Sequence, residues 1–252
     1  MVGTALRGRL NWLAAEVTDF VDETPRVRSI VLESPDWPGH LPGQHIDLRL
    51  TAEDGYQAQR SYSIASPADD GRVMITVELV DNGEVSPFLI EELRIGDRIE
   101  IRGPIGGYFV WEPSMGGPLQ LIGGGSGVVP LMSMVRARVA SGSDTPVRYL
   151  SSARSQDDVI YRSELESVAS DGLGVEIVHT LTRSHPPNWA GPTRRVDREM
   201  LAERAWPAAA SPLCYVCGPT GFVEAVAAAL VELGHVPERV KTERFGPTGG
   251  GR

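Results

Sequence analysis

Over the first hundred residues apolar and polar positions alternate at period 2 in short runs, and each run stops at Gly, Pro or Asp. Such a pattern predicts half-buried strands joined by turns, here at 14–20, 27–33, 42–50, 59–65, 72–80 and 97–104. Residues 10–20 admit a helix as well as a strand, but the Thr24-Pro25 turn leading into 27–33 favours a hairpin. Only 86–93 carries helical spacing. Six short strands of this kind predict a six-stranded antiparallel β-barrel.

After Gly116 the pattern changes to alternating strands and helices. Strands are predicted at 119–122, 147–152, 175–181, 213–217 and 240–245, with helices at 129–140, 158–169, 197–205 and 221–233. This alternation predicts an α/β doubly wound parallel five-stranded sheet that binds ligands beyond the carboxyl ends of its strands. The run Pro113-Ser114-Met115-Gly116-Gly117-Pro118 reads as a linker, so the expected organisation is a barrel domain at 1–112, a linker at 113–118 and an α/β domain at 119–252.

At the start of the second half, Leu121-Ile122 runs into Gly123-Gly124-Gly125-Ser126-Gly127, and Pro130 falls in the first turn of the helix that follows. A turn without Cβ atoms lets backbone N–H groups approach a diphosphate, and the helix dipole then faces the anion. The loop lacks the third glycine of the common dinucleotide fingerprint, with Val128 in its place. It also lacks the lysine of an ATP-type loop, since Lys241 is the sole lysine. Gly124, Ser126 and Val128 do not make a G-x-S-x-G elbow, which argues against Ser126 as a nucleophile.

Charge narrows the partners. Residues 1–116 hold 10 Arg and 19 Asp or Glu, net −9, whereas 117–252 balance 14 basic against 14 acidic residues. An excess of carboxylates disfavours nucleic acid and anionic membrane as partners of the first half. No apolar leader and no run of about 20 apolar residues is present, so a cytoplasmic, soluble chain is expected, and a monomer. Cys214 and Cys217 are too few for an iron–sulfur cluster, no His/Cys group has zinc spacing, and a strand at 213–217 points the two thiols to opposite faces. No metal is expected, and both cysteines read as free thiols.

Five blocks then stand in order: Arg60-Ser61-Tyr62-Ser63 on a barrel strand, Gly83-Glu84-Val85-Ser86 before the barrel's helix, the Gly123 loop, Cys217-Gly218-Pro219 at a strand end, and Glu243-Arg244-Phe245. In that order and spacing the chain resembles, over essentially its whole length, the ferredoxin-NADP reductase superfamily of two-domain flavin reductases. The resemblance implies FAD (or FMN) in the barrel, with Arg60 on the diphosphate, Tyr62 against the ring, Ser63 near the hydride-accepting nitrogen, and Thr76 and Val77 at the ring edge through their backbone. Gly83, Val85 and Ser86 would hold the diphosphate, although Ser86 before Pro87 also reads as a plain N-cap. In the second domain Gly124, Ser126, Gly127 and Val128 would hold the diphosphate of NADPH (or NADH). Cys217, Gly218 and Pro219 would border the nicotinamide, and Thr182 and Arg183, with Arg154, Arg194 and Arg195 near, would meet the 2′-phosphate.

Ser63, Cys217, Glu243 and Phe245 are the implied catalytic set. Phe245 would cover the flavin, although here a tail of seven residues follows it and the alternative is a strand-end core residue. The implied activity is transfer of hydride from NADPH or NADH to FAD and of electrons to a separate carrier such as a ferredoxin or an oxygenase component. The acidic first half opposes an acidic ferredoxin unless Arg7, Arg9, Arg26 and Arg28 gather in a patch. A free-flavin reductase and a non-catalytic redox-sensing module are the alternatives.

Overall fold

The computed structural model describes residues 10–68, 72–172 and 174–245. β1 (Leu13–Thr24), β2 (Val27–Glu33), β3 (His45–Thr51), β4 (Gln57–Ser63), β5 (Arg72–Glu78) and β6 (Arg98–Ile105) form one antiparallel sheet in the order β4-β3-β6-β1-β2-β5. Register shifts in β1 between Val17 and Asp19 and between Asp22 and Thr24 mark bulges, which bend a strand and help the sheet curl. Ile30, Leu32, Ile46, Leu48, Ile64 and Ile75 fill the interior with no exposure. The expected helix is a short π-helical turn, Phe88–Glu92, with Leu89 buried under it.

The two end strands meet only at the root of the barrel. Ile64 bridges Ile75, and the Ala65 N–H donates to Met74 O at 2.6 Å. Beyond that point β4 and β5 pair with β3 and β2 on their inner sides and with no strand on their outer sides. Their outer backbone groups therefore need other partners.

The second half contains β7 (Leu119–Gly124), α1 (Val128–Ala140), β8 (Val147–Ala153), α2 (Arg162–Ser170), β9 (Val175–Leu181), α3 (Arg198–Arg204), β10 (Leu213–Pro219), α4 (Thr220–Glu232) and β11 (Val240–Phe245). The sheet is parallel, in the order β11-β10-β7-β8-β9. β7 is buried at every position, as a central strand covered on both faces must be. The chain winds outward from β7 to β8 and β9 and then returns to β10 and β11, which makes the carboxyl ends of β7 and β10 the switch point.

One apolar cluster joins the halves: Val27, Ala65, Phe109 and Trp111 pack with Leu121, Leu131, Met134 and Tyr215. The Gly43 N–H donates to Ser133 Oγ at 2.9 Å across the same junction. No helix among the described residues is long and apolar enough to cross a membrane.

One expectation fails in detail. The helix predicted at 158–169 is preceded by a 3-10 turn, Gln156–Asp158, and α2 begins only at Arg162. Val159, Ile160 and Tyr161 are all buried, and Tyr161 enters α2 with a left-handed backbone, φ 59°. That conformation costs about 1–2 kcal/mol, whereas burying a large apolar side chain stabilises by about 1.5–3 kcal/mol, so burial of three such residues overrides helix propensity.

Candidate active site

A cleft of about 530 Å³ lies where the halves meet. One wall is the pair of diverging strand edges, residues 60–63 of β4 and Thr76, Glu78 and Val80 from β5 onward; the other carries Ser126, Val129, Cys217 and Phe245. Two open edges a cleft apart present N–H and C=O groups to a flat ligand whose rim can hydrogen-bond.

On the barrel wall β4 places Arg60, Tyr62 and Ser63 in the cleft. Tyr62 is half-buried against the barrel core, and burial pushes its phenol up to about 12, so it is neutral at any ordinary pH. Thr76 is buried, and its hydroxyl lies between Ser29 Oγ, at 2.8 Å, and the Tyr161 hydroxyl. Val77 turns its side chain into the barrel core, pairs with Arg28 of β2 and does not line the cleft, so the expected ring-edge contact is corrected to its neighbours Thr76 and Glu78. In the loop after β5, Gly83, Val85 and Ser86 line the cleft, but Val85 is a core residue and Ser86 caps no helix: its Oγ accepts from the Val80 N–H at 3.0 Å. The N-cap alternative for Ser86 is thereby corrected, because the hydroxyl closes the loop instead.

On the facing wall the glycine loop is a 3-10 turn, Gly125–Gly127, that opens into α1. Gly125 has φ +55°, and a Cβ on Gly127 would fall 2.3 Å from Cys217 O, so the loop lies flush on β10 in a way no other residue allows. Gly124, buried, and Ser126, half-buried, stand at the switch point. Val128 does not join them. Its side chain packs against Gly123, and its N–H is taken by the carbonyls of Gly125 and Ser126, so the turn consumes the donor a ligand would have used.

Cys217 of β10 is the register partner of Glu243 on β11, and Gly218 and Pro219 face Arg244 and Phe245 in the same way. Burial, and then the Glu243 charge, raise the Cys217 thiol well above its ordinary value, so it acts as a neutral thiol. Burial also pushes the Glu243 carboxyl up to about 7, and its Oε2 is buried with no hydrogen-bond partner. Phe245 packs against the shared core with one part and lines the cleft with another, so both readings of it hold together. The tail after it, residues 246–252, lies outside the described residues.

Thr182 and Arg183 are not in this cleft. They follow β9 at the same carboxyl edge of the sheet, where the Thr182 hydroxyl donates to Ala153 O at 3.1 Å and the Arg183 N–H donates to Arg154 O at 2.9 Å. Arg154 and Arg183 are thus neighbours, both exposed and without an ion pair among the described residues. Arg194 is corrected out of that group: it is bound to Asp197 at 2.8 Å and Glu199 at 3.4 Å, which cancels its charge. The basic patch for an acidic partner does not form from Arg26 and Arg28 either, since Asp81 and Asp22 pair with them at 2.8 and 2.7 Å; Arg7 and Arg9 lie outside the described residues.

Two residues to which the sequence assigns no role join the site. Glu84 accepts from Arg60 Nη2 at 2.7 Å and from the Tyr56 hydroxyl at 2.8 Å, and these two hydrogen bonds hold its carboxyl below the usual range. Tyr161 reaches from the second half to Thr76. Both contacts span long stretches of sequence, where no periodicity or spacing can announce them.

The donor set fits a flavin and a pyridine nucleotide: an arginine and a tight loop for one diphosphate, a Cβ-free turn for another, and open strand edges for a ring. The family described as oxidoreductase FAD-binding domain matches residues 20–110, and that described as oxidoreductase NAD-binding domain matches 121–228. The ferredoxin–NAD(P)+ reductase component of the naphthalene 1,2-dioxygenase system of Pseudomonas putida is 31% identical over 212 residues, 82% of this chain and 61% of that protein. NADH-cytochrome b5 reductase 1 of Aspergillus terreus is 31% identical over 237 residues, 91% of this chain and 79% of that protein. The flavohem-like FAD/NAD-binding domain of nitric oxide dioxygenase from Vibrio cholerae superposes with a TM-score of 0.83 at 25% identity, over 93% of this chain and 99% of that one.

Proposed function

The chain belongs to the FAD- and NAD-binding oxidoreductases of the ferredoxin-NADP reductase superfamily, and from that premise we propose that it is an NAD(P)H-dependent flavoprotein reductase whose electrons leave to a separate acceptor. One observation carries the reading: the slot between two open strand edges faces Cys217 and Phe245 of the nucleotide-binding sheet across a single cleft. Bound flavin would supply a centre that takes hydride from a nicotinamide and releases electrons onward.

The chain's own residues bind, orient and keep the proton balance. Arg60 offers a permanently charged fork to the flavin diphosphate, while Gly83, Val85 and Ser86 form the tight loop beside it. Tyr62 offers an uncharged aromatic face, Ser63 a hydroxyl, and Thr76 the backbone groups of an open edge. Opposite them Gly124, Ser126 and Gly127 receive the coenzyme diphosphate at the amino end of α1. Cys217 contributes a small neutral wall beside the reacting carbon, with Gly218 and Pro219 shaping its rim. Glu243, poised near neutrality, is suited to hold or yield a proton at its buried Oε2. Phe245 shields the ring face, and Arg183 and Arg154, adjacent and exposed, are the proposed partners of a 2′-phosphate.

Charge supports one class of acceptor. With Arg26, Arg28 and Arg60 all paired, the flavin half presents its excess carboxylates, which favours a partner with a basic or neutral docking face over an acidic ferredoxin. Free flavin is a second reading, favoured by Glu84: an internal carboxylate already on Arg60 competes with the flavin diphosphate and eases exchange. A steady-state screen decides: NADPH and NADH against ferricyanide, free flavin, an acidic ferredoxin and a basic cytochrome c. Turnover with none of the four would contradict the proposal, and turnover with ferredoxin alone would contradict the charge argument.

A further inference from the structure

Three non-glycine residues among those described have positive φ: Asn82 and Ser211 in exposed turns, and Tyr161, which is 1% exposed. A bulky aromatic residue held left-handed in a packed interior is a local cost that the surrounding contacts must impose. Those contacts lead to the cleft. The Tyr161 hydroxyl meets Thr76 Oγ1, Thr76 Oγ1 lies 2.8 Å from Ser29 Oγ, and Ser29 Oγ donates to Glu23 Oε1 at 2.7 Å. The carboxylate can only accept, so each hydroxyl donates toward it, and the chain runs Tyr161 to Thr76 to Ser29 to Glu23.

The ring of Tyr161 is gripped from its other side. The Arg136 guanidinium stacks over it at 4.9 Å, forks onto Glu164 at 2.8 and 2.6 Å, and donates from Nη1 to Ala65 O at 2.9 Å. Ala65 follows Ile64, whose bridge to Ile75 is the point from which β4 and β5 diverge. Tyr161 therefore holds the β5 side of that fork through Thr76, and Arg136, packed on the same ring, holds the β4 side. Thr76 itself lines the cleft.

We propose that Tyr161 is a positioning residue that sets the gap between the barrel wall and the nucleotide wall of the cleft, and with it the approach of coenzyme to flavin. This rests on the function proposed above. Removing the hydroxyl in Tyr161→Phe keeps the ring under Arg136 but releases Thr76. In the flavin-free full chain, amide hydrogen exchange at residues 76–78 should quicken while exchange in β7 does not. In the FAD-loaded protein, the rate of flavin reduction by NADPH or NADH should fall about three- to tenfold, with dissociation constants for flavin and coenzyme unchanged. Glu164→Gln, which loosens the fork that presses Arg136 onto the ring, should give a smaller fall in the same direction. Wild-type exchange and wild-type reduction rate in Tyr161→Phe would overturn the proposal, as would flavin and coenzyme affinities that fall in proportion to the rate. A wild-type protein that neither coenzyme reduces would sink the proposed function instead, and the exchange measurement, made without coenzyme, would still decide the role of Tyr161.

Discussion

Arg60 and Glu84 are bound to each other at 2.7 Å in front of the loop that is suited to a flavin diphosphate, so the cleft keeps a negative charge of its own where the ligand must bring two. The pair is half-exposed and its strength is modest, yet it sets a definite sign. Glu84→Gln should tighten FAD roughly threefold in low salt, and the gain should vanish as salt screens the site. Arg60→Ala should weaken FAD roughly ten- to hundredfold. Flavin fluorescence titrations at two ionic strengths check both; weaker binding in Glu84→Gln would mean that Glu84 supports the site rather than competing in it.

Glu243 makes stability depend on pH in a defined direction. Its carboxyl rises from the ordinary 4.5 to about 7 because burial disfavours the charged form. A group whose folded pKa is raised contributes most below its unfolded value, and that contribution is lost as pH climbs through the folded one. The window therefore runs from about pH 4.5 to about 7. Glu243→Gln, which cannot ionise, should gain in unfolding temperature relative to the wild type between pH 5 and pH 8. A difference that stays constant across that range would place the carboxylate in water.

Coenzyme choice tests the carboxyl edge of β8 and β9. Arg183 and Arg154 are adjacent and exposed there, at some remove from Cys217. Arg183→Ala should raise KM for NADPH several-fold and leave that for NADH nearly unchanged, because only NADPH carries the 2′-phosphate that the guanidinium is proposed to meet. Equal effects on the two coenzymes would remove Arg183 from the pocket.

Phe245 sits half in the shared core and half in the cleft, in register with Pro219. An aromatic contact of this kind is worth about 0.5–1.5 kcal/mol beyond its buried area, so Phe245→Ala should weaken flavin only slightly. It should also open the ring face, strengthening the charge-transfer band with NADP+ or NAD+ and narrowing the preference between them. An unchanged flavin spectrum in coenzyme titrations would leave Phe245 with a core role alone.

Local chemistry was legible in the sequence and long-range chemistry was not. Period-2 runs bounded by Gly and Pro placed all six barrel strands, and β9 and β11 begin and end where periodicity puts them. The glycine loop could be read as well, because turns without Cβ are built from neighbouring residues. Val128 misled, since sequence cannot show that a 3-10 turn consumes its N–H. The start of α2 misled for a related reason: Val159, Ile160 and Tyr161 obey the core rather than the helix. The Arg60–Glu84 pair and the Tyr161–Thr76 contact join positions 24 and 85 residues apart, and only the folded chain brings them together.

On the function proposed here, one cleft takes hydride from a pyridine nucleotide into a flavin held between β4 and β5. Anaerobic stopped-flow mixing of the FAD-loaded protein with NADPH or NADH measures it directly. The visible flavin band should bleach at a rate that saturates with coenzyme, slows when the transferred C4 hydrogen is deuterium, and drops about tenfold in Ser63→Ala and in Cys217→Ala with flavin still bound. A bound flavin that stays oxidised with both coenzymes, or that both variants reduce at the wild-type rate, would contradict it.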